Sequence, residues 1–266
     1  MPRFAANIGW MAQEVPMMER FQLVRDLGFT AVECPLLYEH PKEDLAEGYQ
    51  AAGLDFLMFN SPPGKNPGEY GIAGFKGREA EFQDTIGLAL EYSKALKTEY
   101  LHILAGYREG DWREEGFEAF IENVKWACPV LAEAGITALI EPINTLARPG
   151  YLVQTTVEAQ RVVDAVKAAG SDNIGIQYDF HNAQIMEGNL SLTFEAHLSS
   201  ISHVQIAGHP GRTPPDEGEI NYPYVFALMD LLGYDGWVGC EYAPHDKEQP
   251  GATKASLAWA ADFGLG

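Results

Sequence analysis

Eight short β-rich runs, each followed by a longer helical pattern, fill the chain from end to end, and no Gly-rich dinucleotide fingerprint follows any of them. With a length of 266 residues, this alternation predicts an α/β fold: a single-domain (β/α)8 TIM barrel over residues 1–266. A doubly wound open sheet is the alternative. It is weakened by the missing fingerprint and by more regular units than one such domain needs. No low-complexity tail or shift in composition marks a domain boundary.

The elements follow in order. Residues 4–8 form the first strand, and a helical pattern over 16–27 places Phe21, Val24 and Leu27 on one face before Gly28 stops it. Residues 30–33 form the second strand, followed by a helix over 42–52 that Gly53 closes. Residues 54–60 read as a buried strand, residues 61–77 as a Pro- and Gly-rich loop, and 79–96 as the third helix. The fourth strand spans 100–104, and a charged loop leads to a helix over 115–134 that Gly135 ends. The second half repeats the pattern, with strands at 136–141, 174–179, 201–207 and 237–241. Its helices cover 156–169, 190–198, 222–232 and 253–261.

Composition narrows the function. Hydrophobic residues make up 46% and charged residues 21%, which is ordinary for a folded globular chain. Against 38 acidic residues stand 18 basic ones, a formal charge of −20 with no basic cluster. Such a field repels phosphate backbones and anionic bilayers, so nucleic acid and membrane surfaces are excluded as partners. Three unpaired cysteines, Cys34, Cys128 and Cys240, exclude a disulfide framework and a thiolate zinc site. With no apolar signal core and no run of about 18 apolar residues, the expected compartment is cytoplasmic. The acidic surface leaves assembly into a homo-oligomer open.

In parallel α/β folds the chemistry sits at the carboxyl ends of the strands. Those ends carry Asn7, Glu33, Asn60, Glu141, Asp179, Gln205 and Glu241, and only the fourth strand runs out in Leu104-Ala105-Gly106. Any one of these acids alone is more simply a solvated rim residue or the partner of a loop arginine. Glu141, Asp179 and Glu241 together, with Gln205 between the last two, are a different matter. Neighbouring strands lie about 4.8 Å apart, so these oxygens converge on one volume and repel each other unless a positive charge sits among them. An oxygen donor set without thiolates suits a hard divalent ion, Mg²⁺ or Mn²⁺, with Zn²⁺ and Co²⁺ left open.

Cations for an anionic substrate are few. Arg78 and Lys65 belong to the third loop and Arg212 to the loop after the seventh strand. For Lys65 a surface salt bridge is the favoured reading, and for Arg212 the two readings balance. Of the seven histidines, His181 and His209 follow strands at the rim and are the candidate site histidines. His102 is read as pointing into the core or barrel, and His203, two residues before Gln205, as lying deeper on the same side. His40, His197 and His245 read as surface or helix residues. No nucleophile elbow, P-loop or HExxH motif is present.

Several segments carry a family resemblance: Glu141-Pro142-Ile143-Asn144, Ile176-Gln177-Tyr178-Asp179, His203-Val204-Gln205-Ile206-Ala207 and Gly236-Trp237-Val238-Gly239-Cys240-Glu241-Tyr242. With Arg3-Phe4-Ala5-Ala6-Asn7 and Gly77-Arg78-Glu79, they resemble the hydroxypyruvate isomerases of the xylose-isomerase-like barrels over nearly the whole chain. The resemblance implies a divalent metal held by Glu141, Asp179, Gln205 and Glu241, with Glu141 and Glu241 as the acid–base pair. It implies interconversion of hydroxypyruvate and 2-hydroxy-3-oxopropanoate, a metal-dependent aldose–ketose isomerisation of a small 2-oxo acid or sugar-like substrate. Asn60, Arg78, His181, His209 and Arg212 are then the candidate substrate contacts. The chain departs from the family at Asn182, where a histidine is usual and where this sequence has His181 one position earlier, and at Asn7-Ile8-Gly9-Trp10.

Rival readings are a 2-oxo-tetronate isomerase or ketose 3-epimerase of the same superfamily, an endonuclease IV-like nuclease, and a non-catalytic metabolite-binding barrel. The nuclease needs more histidine ligands and a basic face. Proton transfer and hydride shift are both open as mechanisms.

Overall fold

A computed structural model describes residues 2–266. One all-parallel sheet runs through β1 (Arg3–Asn7), β2 (Ala31–Glu33), β3 (Asp55–Phe56), β4 (Met58–Asn60), β5 (Tyr100–His102), β6 (Thr137–Ile140), β7 (Ile174–Asp179), β8 (Ile201–Ile206) and β9 (Trp237–Cys240). The order around it is β3-β2-β1-β9-β8-β7-β6-β5-β4. β3 and β4 are halves of one stave broken at Leu57: β3 pairs with β2 and β4 with β5. The Leu57 N–H donates to Val32 at 2.9 Å while its carbonyl accepts from Tyr100 at 3.1 Å, and the Cys34 N–H reaches the Met58 carbonyl at 3.2 Å. These bonds bridge the seam, and eight staves form a nearly closed TIM barrel as the alternation predicts. The continuous strand expected over 54–60 is corrected to two pieces, because Leu57 turns its two backbone groups to different neighbours.

Around the sheet lie α1 (Met17–Asp26), α2 (Lys42–Ala51), α3 (Glu79–Leu96), α4 (Arg113–Glu133), α5 (Thr156–Ala168), α6 (Phe180–Met186), α7 (Leu190–His197), α8 (Tyr222–Leu232) and α9 (Ala252–Ala255). α5 starts with a reciprocal capping box between Thr155 and Glu158. α8 ends on Gly233 at φ 75°, a left-handed turn that costs glycine little. Two expectations change. The helix expected over 253–261 is the four-residue α9 followed by a 3-10 segment, Ala258–Phe263. α6 is an addition that starts where β7 stops, because Asp179 caps it by accepting the His181 N–H at 2.8 Å.

Side chains alternate along each stave, so every second residue points into the barrel. The lower inward layer is mostly apolar, with Ala5, Ala31, Met58 and Leu139 forming a small cluster apart from the main core. Tyr100 on β5 and His203 on β8, three staves apart, meet within it at 5.9 Å between ring centroids. Two residues further along each stave, the inward layer turns polar.

Candidate active site

That upper layer carries Asn7, Glu33, Asn60, His102, Glu141, Asp179, Gln205 and Glu241, all buried. Register places Asp179 beside Gln205 and Gln205 beside Gly239, two residues before Glu241. Carboxylate oxygens of Glu141, Asp179 and Glu241 lie within 4.8 Å of one another.

Glu33 anchors one half of the ring. It is fully buried and accepts three hydrogen bonds: Asn7 Nδ2 at 2.8 Å, Gln205 Nε2 at 2.6 Å, and His203 Nε2 at 2.6 Å. Asn7 also donates to Glu241 at 3.2 Å. Gln177 Nε2 donates to Gln205 Oε1 at 2.7 Å, which leaves that oxygen a second lone pair. In the other half His102 Nδ1 faces two acceptors, Asn60 Oδ1 at 3.1 Å and Glu141 Oε2 at 3.3 Å, which fixes the Nδ1–H tautomer. Burial pushes the His102 imidazole down to about 3, so it is neutral here.

The rim loops complete the site. Asn182 donates to Glu141 Oε1 at 3.0 Å and accepts from Asn144 Nδ2 at 2.5 Å. The Arg212 guanidinium bridges two carboxylates, donating to Asp179 Oδ2 at 2.6 Å and to Glu241 Oε2, and lies 5.2 Å over the Trp10 ring. Its backbone sits at φ 54°, a left-handed conformation unusual for a non-glycine residue, with its carbonyl accepting from Ala243 at 2.9 Å.

Burial, then the Glu241 and Asp179 charges, push the Glu141 carboxyl well above the usual carboxylate range. Burial does the same to Glu241, raising it to about 8 against the opposing pull of Arg212. For Arg212 burial works against the charge, but Asp179, Glu241 and Glu141 outweigh it and hold the guanidinium cationic. One guanidinium among three carboxylates leaves the cluster short of positive charge. The donor set is oxygen only, with Gln205 adjoining it, and this fits a hard divalent cation.

Above the ring opens a cavity of about 490 Å³, within the range of small-molecule sites. Glu141, Glu241, Asn60, Asn182 and Arg212 line it together with Trp10, Tyr70 and Arg148. Other expected contacts lie elsewhere. Arg78 is clamped by Glu69 and Glu81 and does not line the cavity. Lys65 pairs with Asp84 at 3.6 Å on the surface, the salt bridge favoured for it from the sequence. His181 and His209 stack edge to face at 5.2 Å behind the rim, with His181 Nδ1 3.0 Å from the Gly208 carbonyl. Sequence reasoning missed Arg148 and Tyr70. Arg148 had a signal, because it sits in the loop directly after Glu141.

Residues 21–263 match the family model described as xylose isomerase-like TIM barrel. Over 265 residues, 99% of both chains, the protein is 41% identical to a 2-oxo-tetronate isomerase of Cupriavidus necator. It is 36% identical to a hydroxypyruvate isomerase of Escherichia coli over 261 residues, 97% of this chain and 98% of that one. It is also similar to the crystal structure of an AP endonuclease, family 2, from Brucella melitensis, with a TM-score of 0.91, 44% identity and 99% of each chain covered.

Proposed function

The chain belongs to the xylose isomerase-like TIM barrel family and is an isomerase, and from that premise we propose that it shifts a carbonyl between adjacent carbons of a three- or four-carbon 2-oxo acid, with Glu141 and Glu241 as its acid–base pair. One observation carries this reading: both glutamates open into the same small cavity, and their oxygens cluster with that of Asp179.

The chemistry follows from these positions. One carboxylate takes a proton from C3 of hydroxypyruvate, next to the ketone, and the C–H electron pair becomes the double bond of an enediolate. A proton returned to C2 and transfer of the O3 hydroxyl proton to O2 complete 2-hydroxy-3-oxopropanoate with no atom gained or lost. A divalent ion, Mg²⁺ or Mn²⁺, held by Glu141, Asp179, Glu241 and Gln205 would supply Lewis-acid stabilisation of the developing oxyanion. Asn182 orients Glu141, Asn7 and Arg212 orient Glu241, and Glu33 holds Asn7 and Gln205 beneath them. The neutral His102 donates toward Glu141 from below.

The same shift in a 2-oxo-tetronate moves its ketone from C2 to C3. The higher identity of the Cupriavidus necator relative favours this four-carbon substrate over hydroxypyruvate. The similarity to an AP endonuclease raises a nuclease reading, against which stands the formal charge of −20.

The deciding experiment incubates metal-stripped protein with hydroxypyruvate and with 2-oxo-tetronate in D₂O, with and without Mn²⁺ or Mg²⁺, followed by NMR. Metal-dependent product, lost in Glu141→Gln and Glu241→Gln, is expected. Deuterium at the new carbon selects proton transfer over hydride shift. Folded, metal-loaded protein that converts neither acid refutes the proposal.

A further inference from the structure

We infer that Arg148, stacked on Tyr70 at the cavity wall, is the substrate-binding residue that reads the carboxylate of the substrate and so selects a 2-oxo acid over a neutral ketose. This rests on the reading of the cavity as the isomerase site. A carboxylate entering the cavity meets Glu141 and Glu241 on its wall and Asp179 close behind, none of which offers it a positive charge. It needs a cation that those acids have not already neutralised. Arg212 is spent on Asp179 and Glu241, and Arg78 is held by Glu69 and Glu81 away from the cavity. Arg148 lines the cavity, and among the described residues its guanidinium has neither an ion pair nor a hydrogen bond, in a chain where acids outnumber bases 38 to 18. A cavity-facing arginine left unpaired amid so many acids points to a ligand that supplies the anion.

The arginine is also pre-positioned. Its guanidinium lies over the Tyr70 ring, 4.2 Å from the centroid, which fixes the plane of the fork while leaving its N–H edges free for a bidentate carboxylate. Its loop is tied to the reacting end of the site. The Arg148 N–H donates to the Asn144 carbonyl at 3.0 Å, and the Ala147 N–H to Asn144 Oδ1 at 2.7 Å. The Asn144 amide in turn donates to Asn182, which donates to Glu141. A short relay of hydrogen bonds therefore sets the spacing between the carboxylate-binding fork and the carboxyl group that handles the proton. A neutral ketose has no group to complete this contact.

The test separates binding from turnover. Glycerate, an unreactive three-carbon acid, and dihydroxyacetone, a three-carbon ketone without a carboxylate, are titrated into Mg²⁺-loaded wild-type, Arg148→Met and Arg148→Lys proteins of matched melting temperature. Arg148→Met is expected to weaken glycerate binding, and to raise the KM of the 2-oxo acid, by about 10- to 100-fold. The kcat should stay within about threefold, because the contact is made in both ground and transition states. Dihydroxyacetone binding should not change, and Arg148→Lys should recover part of the glycerate affinity. Equal glycerate binding in wild type and Arg148→Met overturns the inference, as does equal weakening for both ligands or no saturable glycerate binding to wild type. Glycerate binding that depends on Arg148 without isomerisation of any 2-oxo acid leaves the inference standing and fells the proposed reaction instead.

Discussion

Asn182 stands where the resemblance calls for histidine, and its amide makes two hydrogen bonds at once. Nδ2 donates to Glu141 while Oδ1 accepts from Asn144, so one side chain couples the Glu141 carboxyl, the proposed proton carrier, to the loop after β6. Asn182→Ala removes a donor from a buried carboxyl group and leaves the Asn144 amide without its acceptor. Stranding a buried hydrogen-bonding group in this way costs about 1–3 kcal/mol. The expected outcome is a kcat lower by about 10- to 100-fold, together with a raised KM, since the Arg148 loop loses its tie. Steady-state kinetics on folded variant protein checks this, and wild-type kcat and KM would remove Asn182 from the positioning scheme.

On β9 the decisive position is a glycine. A Cβ built on Gly239 would come within 2.6 Å of Glu33 Cδ, and Glu33 cannot retreat because three donors hold its carboxylate in a fully buried place. Gly239→Ala should cost about 1–3 kcal/mol through overpacking, a drop of roughly 2–10 °C in melting temperature. The same push falls on Asn7 and Gln205, so turnover should drop as well. A variant with unchanged melting temperature would mean that the barrel interior yields more than its hydrogen bonding implies. The alternation of inward and outward residues explains why so much of this ring was legible in the sequence. A strand that ends in Glu141, Asp179 or Glu241 after an apolar stem sends that side chain to the barrel mouth whatever its neighbours are. Features fixed by distant partners were not legible. The break at Leu57 depends on which stave each of its backbone groups meets, and the α6 start depends on Asp179 serving both as strand end and helix cap. The Arg78–Glu81 pair was legible, because Glu81 lies three residues on and helical spacing makes the two neighbours.

The whole molecule carries a formal charge of −20, yet the acids that govern its pH response are the few it buries. Most surface carboxylates are already ionised at pH 6, so their mutual repulsion changes little as pH rises further. Glu141 and Glu241 behave differently. Their folded values lie above the ordinary one, with Glu241 at about 8, so between about pH 4.5 and 8 the folded protein holds protons that the unfolded chain has released. Their stabilising contribution is complete below the unfolded value and is lost as pH rises through the folded one. His102 acts in the opposite direction. Its folded value of about 3 means that stability present above pH 6.5 is lost as pH falls toward 3. Metal-free protein should therefore be most stable between these two losses, and at pH 8.5 it should melt below its pH 6 value by an amount worth on the order of a few kcal/mol. A divalent ion held by the deprotonated cluster would stabilise only the folded state, so on the proposed reading saturating Mn²⁺ at pH 8.5 should recover most of the loss and do less at pH 5. The Glu141→Gln, Glu241→Gln double variant should show a flatter profile and no response to the ion. Thermal melting across this pH range, in chelator and in Mn²⁺, measures all three. Melting temperatures that ignore both pH and ion would show that the buried carboxylates neither share this proton load nor bind the cation that their geometry fits.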